Sequence, residues 1–587
     1  MSIPCEVLFE KPEYTNVKLS FDGKSIYYIK NVDNKKQLIK YDLETEKQII
    51  INQYEENIIN YGWFDPETFY ILSDQNNNLQ MNNLAIERNG IQKKISIENA
   101  NIRILTSCER VKDKIIFASN HEKRNIFNLY ELDLYSMSYN KIYENTEETI
   151  KWFFSKDNKI TFKYNQKPDN MIFLYFLYNE EWILLREYKL ADLWRSHIIF
   201  YNDNIIMLFE RYTNNTFSIV KLDIKDKFKE KLLFNYNYDI SSVFCFDEKI
   251  LAVGYHADRL EWEILSSDYN NDLITMLDKK YGDIQNWQVN EARDKFLLTF
   301  TNDTKPKSYY IYDRNKKEMR YLFKSRKTLD NYKLSPQESI NYISFDNVQI
   351  HGYITKPSTI DNNTLLVKIH GGPTQRDNWE FNVFTQFFAS MGCHILQINY
   401  RGSFGYGNSF EKLLYKEIGG TVTNDIFTGI SYILSLYPFI ENIFLFGWSS
   451  GGYISLMTGI NHLIPKLKGI IALSAPLVIE QFIDSVENAG IQKKNSAYEI
   501  FGNLETDKDV IEKQSVINNI NILIVPIIYS YGHNDNIINK EFVNICKNKY
   551  SKFIEYGFSN DGHFINNTKN RIFLFNKIKE FIKEYSI

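Results

Sequence analysis

The chain has 587 residues, 44% of them hydrophobic and 24% charged, a mix that excludes a disordered or fibrous protein. Its length is several times the roughly 150 residues of an average domain, so more than one core is expected. Lys plus Arg number 69 against 73 Asp plus Glu, a net charge of -4, which leaves no global field to attract nucleic acid or an anionic membrane.

No run approaches about 18 consecutive apolar residues, and Met1 to Glu10 lacks the basic-then-apolar order of a secretory signal, so a cytoplasmic address and no membrane contact are expected. The cysteines Cys5, Cys108, Cys245, Cys393 and Cys546 are scattered and never fall at metal-ligand spacing. They read as reduced thiols, with no metal site.

After a short N-terminal segment, 1–11, the chain repeats itself. Strand-like runs ending in a polar turn recur at Ile39 to Leu43, Tyr130 to Leu134, Val220 to Ile224 and Ile311 to Asp313, with weaker copies around Glu87, Asn179 and Asp268. The marks are separated by 44 to 46 residues. Within each unit, short runs of strand formers are broken by Asp, Asn and Gly, as at Ser20-Phe21-Asp22-Gly23-Lys24, where Asp-Gly favours a tight hairpin. A four-stranded blade cannot bury both faces alone, whereas a ring of seven stacks each sheet on its neighbours. Residues 12–325 are therefore expected to form a seven-bladed β-propeller. β-Sandwiches also have closely spaced strands, but they give no reason for the sustained period.

From Arg326 the pattern changes. Beyond a polar linker, Lys333 to Glu338, apolar runs at Leu365 to Ile369, Cys393 to Asn399, Ile443 to Phe446, Gly469 to Leu473 and Ile524 to Tyr529 read as buried parallel strands. Helix-length stretches lie between them, at Phe381 to Ser390, Asp425 to Leu436 and Gly452 to Asn461, and Ile572 to Tyr585 reads as a closing amphipathic helix. Residues 326–587 are thus expected to be an α/β domain with helices on both faces of its sheet.

The strand Ile443 to Phe446 runs into Gly447-Trp448-Ser449-Ser450-Gly451-Gly452 and then a helix, the context of a nucleophile elbow. A serine hydroxyl needs a base held in the right tautomer by a carboxylate, in chain order Ser, acid, His. Asp535 lies in a loop after a buried strand, and His563 in Asp561-Gly562-His563-Phe564 after the last strand run. His533 is the competing base and Asp561 the competing acid; His351, His370 and His394 read as structural. The oxyanion needs two donors, for which the backbone N–H of Ser450 and that of Gly372, in the turn His370-Gly371-Gly372-Pro373, are the candidates.

With these residues in view, the chain resembles the prolyl oligopeptidase family of serine peptidases over nearly its whole length. The match runs through Ile343 to Asp346, Gly352-Tyr353-Ile354, His370 to Pro373, Asn399-Tyr400-Arg401-Gly402-Ser403 with Gly405-Tyr406-Gly407, the elbow, the acid loop and Gly562-His563. The resemblance implies a propeller capping an α/β-hydrolase domain, with short peptide held between them. It implies Ser449 as nucleophile, Asp535 as orienting acid, His563 as base then acid, and Ser450 and Gly372 as oxyanion donors. His370-Gly371-Gly372-Pro373 is closer to the acylaminoacyl-peptidase branch, and Trp448 to the dipeptidyl-peptidase branch.

Departures accompany the match. Ser450 replaces a bulkier residue common in relatives, and Ile537 stands where true prolyl oligopeptidases carry arginine. The paired glutamates of dipeptidyl peptidases are not evident, since Glu261 and Glu263 fit a blade surface equally well. Trp448, Val478, Phe482 and Phe501 are the candidate apolar substrate pocket. The expected activity is hydrolysis of short peptides, near the amino terminus, without cofactor, metal or nucleic acid. The alternatives are a small amide or ester substrate for the same machinery, or a binding platform that has lost catalysis. Self-association is left open.

Overall fold

The computed structural model describes residues 2–586 except 33–34, 55–57, 76–77, 89–90, 96, 98–99, 106–112, 124–125, 156, 168–170, 190–195, 212–213, 235, 247, 268, 359 and 488–496. Cys108 and the repeat mark Asp268 lie outside the described residues.

The N-terminal half is a seven-bladed β-propeller. Its first blade comprises Tyr14–Leu19, Ser25–Val32, Lys35–Asp42 and Gln48–Tyr54, paired in sequence order as an antiparallel meander. The later blades open with Ile58–Trp63, Ile102–Ile104, Thr149–Phe154, His197–Tyr201, Ile240–Phe246 and Asp283–Val289, and the seventh closes with Glu318–Lys324. Among the described residues the sixth blade has three strands, and the helix Asn270–Met276 follows its third.

The repeat in the sequence has a local cause. Asp42, Asp133, Asp223 and Asp313 each end the third strand of a blade, and each side chain accepts a backbone N–H of the following turn. Asp42 takes those of Glu44 and Thr45 at 3.1 and 2.7 Å, and Asp133 those of Tyr135 and Ser136 at 3.0 and 2.8 Å. Aspartate holds such turns because its short carboxylate reaches its own backbone two or three residues on.

Among the described residues no strand of the seventh blade pairs with the first. The ring closes through side-chain packing and one backbone bond, from the Glu291 N–H to the Phe21 carbonyl at 3.0 Å. Gln288 accepts the Leu19 N–H and donates to the Val17 carbonyl, both at 3.0 Å, while Val17, Leu19 and Ile26 pack against Leu297, Tyr309 and Ile311.

The second half is built on one eight-stranded sheet. In spatial order its strands are Gln337–Ile343, Gln349–Thr355, Cys393–Asn399, Thr364–Ile369, Asn442–Trp448, Leu467–Leu473, Ile527–Gly532 and Phe553–Phe558. The first two form an antiparallel hairpin, joined antiparallel to Cys393–Asn399; the remaining neighbours are parallel. The strand expected from Ile524 begins only at Ile527, because Pro526 has no N–H for the ladder and contributes its carbonyl alone, to Ile470. The expected linker Lys333 to Glu338 runs straight into the first strand.

Side chains alternate across this sheet onto two cores. Ile443, Leu445, Ile470 and Tyr529 face one, and Phe444, Phe446, Ile471 and Ile528 the other. The C-terminal helix Thr568–Tyr585 covers the second core with Leu574, Phe575, Ile578, Phe581 and Ile582, and leaves Phe573 exposed. The N-terminal segment joins this core too. The helix Cys5–Phe9 places Phe9 at 4.3 Å from the Phe575 ring and 5.4 Å from that of Phe387. Arg326 donates to the carbonyls of Leu8 and Glu10 at 3.0 and 2.6 Å.

The two halves meet on the rim opposite the aspartate turns. The loop 402–408 lies against the fifth and sixth blades, with the Asn408 N–H on the Asn215 carbonyl at 2.7 Å and the Gly405 N–H on Asp239 at 3.1 Å. Beside it, buried Arg211 grips Glu411 with two bonds of 2.8 and 3.0 Å.

Candidate active site

Ser449 stands between the central strand Asn442–Trp448 and the helix Ser450–Asn461. Its backbone has φ 55° and ψ -126°, a conformation that a residue with a side chain adopts only under constraint. The constraint is visible: the Ser449 N–H is held on the Leu473 carbonyl at 2.7 Å, and the Ser449 carbonyl accepts the Tyr453 N–H at 3.0 Å. The turn is so tight that a Cβ at Gly447 would fall 2.2 Å from the Gly451 backbone, which explains the glycine there.

Asp535 follows the strand Ile527–Gly532 and His563 follows Phe553–Phe558. Their loops are tied together by the Asn534 N–H on the Asp561 carbonyl at 3.0 Å. His563 bridges the other two residues, with Nδ1 at 2.8 Å from Asp535 Oδ2 and Nε2 at 2.9 Å from Ser449 Oγ. Because a carboxylate only accepts, Nδ1 carries the proton, and Nε2 is left to accept from the Ser449 hydroxyl. The Asp535 side chain is fully buried, with Oδ1 accepting the Ile537 N–H at 2.8 Å, while His563 keeps 22% of its side chain exposed. A buried, doubly bonded acid and a partly open base suit proton transfer to and from a bound molecule.

The competing residues have other partners. His533 is exposed, with its ring 5.5 Å from that of Tyr531. Asp561 clamps the loop below the base, accepting the N–H groups of Asn566 and Asn567 at 2.7 and 2.8 Å and the Asn570 amide at 2.7 Å. His370 stacks on Tyr400 at 4.3 Å with Nε2 on Ser403 at 2.9 Å, and burial pushes it down to about 4. His351 stacks on Tyr406 at 4.5 Å, and His394 bonds Asp361 at 2.6 Å. Glu261 lies 3.5 Å from Lys279, and Glu263 accepts the Tyr236 hydroxyl at 2.5 Å.

The turn after Thr364–Ile369 abuts the elbow. A Cβ at Gly371 would lie 2.4 Å from the Trp448 carbonyl oxygen and 3.5 Å from Ser449 Cβ. Gly372 follows in the left-handed region at φ 60°. Among the described residues, neither the Gly372 N–H nor the Ser450 N–H has a protein acceptor, and the buried Ser450 hydroxyl has no partner.

The structure does not gather the four expected pocket residues into one place. Phe482 and Phe501 pack together at 5.0 Å on the first core, with Val478 partly buried nearby in the chain. Trp448 follows Phe444 and Phe446 onto the opposite face of the sheet, where it packs on Phe384 and Phe564. Its indole Nε1–H donates to the His563 carbonyl at 2.9 Å, a bond that sequence reasoning missed because nothing in a tryptophan's position reveals its partner.

Among the described residues no cluster of three or more His, Cys, Asp or Glu could hold a metal, and no helix is long and apolar enough to cross a membrane.

Comparison with known proteins agrees with this geometry. Residues 379–586 match the prolyl oligopeptidase family. Dipeptidyl aminopeptidase BIII of Pseudoxanthomonas mexicana is 22% identical over 472 residues, covering 77% of this chain and 68% of its own length. Dipeptidyl peptidase family member 6 of Caenorhabditis elegans is 22% identical over 515 residues, covering 78% and 68%. In fold, a puromycin-hydrolyzing peptidase of Mycobacterium tuberculosis superposes with a TM-score of 0.77 at 10% identity, over 100% of this chain and 98% of that one. The Pyrococcus horikoshii acylaminoacyl peptidase gives 0.73 at 15% identity, over 100% and 98%. The chain therefore carries a prolyl oligopeptidase family domain and is a serine hydrolase of that type.

Proposed function

We propose that the protein cleaves short peptides near their amino terminus through an acyl-enzyme on Ser449. The observation that carries this reading is His563 bridging Asp535 and Ser449 at 2.8 and 2.9 Å. Ser449 Oγ bonds to the scissile carbonyl carbon as His563 Nε2 takes its proton, and Asp535 stabilises the imidazolium that results. The carbonyl oxygen becomes an oxyanion, received by the unused N–H groups of Ser450 and Gly372. Each such donor contributes about 3 kcal/mol to the transition state. Collapse breaks the C–N bond, with His563 returning the proton to the departing amine. Water then attacks the ester by the same steps and frees Ser449.

The names of the relatives, dipeptidyl aminopeptidase and acylaminoacyl peptidase, support peptides attacked near the amino terminus. The apolar pair Phe482 and Phe501, with Val478, is the proposed side-chain pocket of the acyl group. The cytoplasmic address expected from the sequence stays part of the proposal, and fractionation of cells making the native chain tests it.

The experiment is intact-mass analysis after treatment with a fluorophosphonate, with peptide mapping and Ser449→Ala as control. One adduct, on Ser449, together with turnover of aminoacyl anilides that Ser449→Ala abolishes, is expected. No adduct on folded protein refutes an activated nucleophile, and turnover confined to simple esters refutes the peptidase reading.

A further inference from the structure

Phe564 follows His563 directly and takes part in none of the steps above. Its ring meets the imidazole edge-on at 5.3 Å and the Trp448 indole at 5.6 Å, yet it is 55% exposed. Trp448 is fixed from behind, by Phe384 at 6.2 Å and by the bond from its Nε1–H to the His563 carbonyl. The two rings form an apolar ledge that is rigid on its buried side and open on the other, right beside the base. A large aromatic left half in water gains free energy when an apolar group covers it.

The position of the ledge decides what covers it. His563 Nε2 must hand its proton to the departing amine, so the leaving group passes along the His563 side of Ser449. With the donors and the pocket proposed above, the acyl group lies across the serine, toward Ser450, Gly372 and the face of the sheet that carries Phe482 and Phe501. Trp448 and Phe564 lie on the opposite face.

We infer that Trp448 and Phe564 form the subsite for the residue on the leaving-group side of the scissile bond, and that Phe564 selects a large apolar side chain there. This rests on the roles proposed for Ser449 and His563. The subsite accounts for a phenylalanine left half exposed beside the base, and it makes the enzyme selective on both sides of the bond it cuts.

Partition of the acyl-enzyme tests the inference. An aminoacyl p-nitroanilide that gives turnover is hydrolysed in the presence of glycinamide, leucinamide or phenylalaninamide, and the aminolysis and hydrolysis products are quantified. Water and amine compete for one acyl-enzyme, so effects on the acyl side cancel. The expected result is that leucinamide and phenylalaninamide capture the acyl group about tenfold better than glycinamide, a preference that falls below about twofold in Phe564→Ala and survives in Phe564→Leu. Equal use of the three amides by the wild type, a ratio that needs no variant to fold, overturns the inference. So does an undiminished preference in Phe564→Ala. A protein that releases no p-nitroaniline and takes no label on Ser449 overturns the parent reading instead, and this outcome is distinct because nothing is then formed to partition.

Discussion

Gly371→Ala tests the coupling between the turn 370–373 and the nucleophile elbow. A Cβ there would sit 2.4 Å from the Trp448 carbonyl oxygen, whereas real contacts stay beyond 3.0 Å, so a displacement of at least about 0.6 Å must be found. Both partners are backbone, so no side-chain rotation can absorb it. The shift falls between the residue before Gly372 and the residue before Ser449, and so on the spacing of the proposed donor and the attacking oxygen. A misplacement of this order costs about 10²-fold in rate. The expected outcome is a drop of about that size in kcat/KM on an aminoacyl anilide, with a cooperative melt retained. Gly372→Ala provides the contrast. Its Cβ would meet the Gln375 side chain at 2.7 Å, which can rotate, leaving mainly the strain of φ 60° at about 1 kcal/mol. Its loss should be about fivefold. If Gly371→Ala stays within about threefold of the wild type, the rigid coupling of turn and elbow is refuted.

Trp448→Phe removes the donor on the His563 carbonyl, a bond contributing about 1 kcal/mol, and should lower kcat/KM about fivefold with a cooperative melt retained; full activity would show that the base needs no such hold. Glu411→Gln strips Arg211 of its bidentate partner while Asp239 remains 4.0 Å away. With the arginine side chain only 2% exposed, a loss of about 2 kcal/mol in urea unfolding is expected, and an unchanged midpoint contradicts the ledger of that contact. Burial holds His351 at about 4 against 6.5 for the free side chain, so between those values the unfolded chain binds a proton that the folded one refuses. Stability from this group is intact above pH 6.5 and declines toward pH 4. His351→Phe, which keeps a ring against Tyr406, should narrow the gap between melting temperatures at pH 7 and pH 4.5; an equal gap argues that His351 titrates normally.

How much of this could be read from the chain follows the range of the forces involved. The propeller was legible because on alternate blades an aspartate that folds back two or three residues on leaves the same mark, with weaker copies between. The parallel strands were legible as continuous apolar runs, while Asp535 and His563 could be named as candidates from chain order and loop position, and the structure sets His563 between Asp535 and Ser449. The strand boundary at Pro526 was misjudged by weighing apolarity above the missing N–H. The grip of Arg211 on Glu411, 200 residues away, left no local trace, nor did the return of Phe9 to Phe575. Trp448 was grouped with Phe482 and Phe501 because apolar character is visible in a sequence, whereas the face of a sheet on which a residue lands at the end of a strand emerges only from the register of its neighbours.

Among the described residues the first and seventh blades join as every other neighbouring pair of blades does, by side-chain packing with no shared strand. What fastens the two ends of the propeller lies mostly within it: the Glu13 N–H rests on the Ser325 carbonyl at 2.9 Å and the Glu291 N–H on the Phe21 carbonyl at 3.0 Å, while Arg326, just beyond, holds the carbonyls of Leu8 and Glu10. Roundness in this molecule is thus a property of the blades themselves. A blade stack excised at residues 12–325 keeps both sides of this junction, Val17 and Leu19 on one and Leu297 and Tyr309 on the other, and only if the ring were prised open would each become a sticky face able to mate with a second copy.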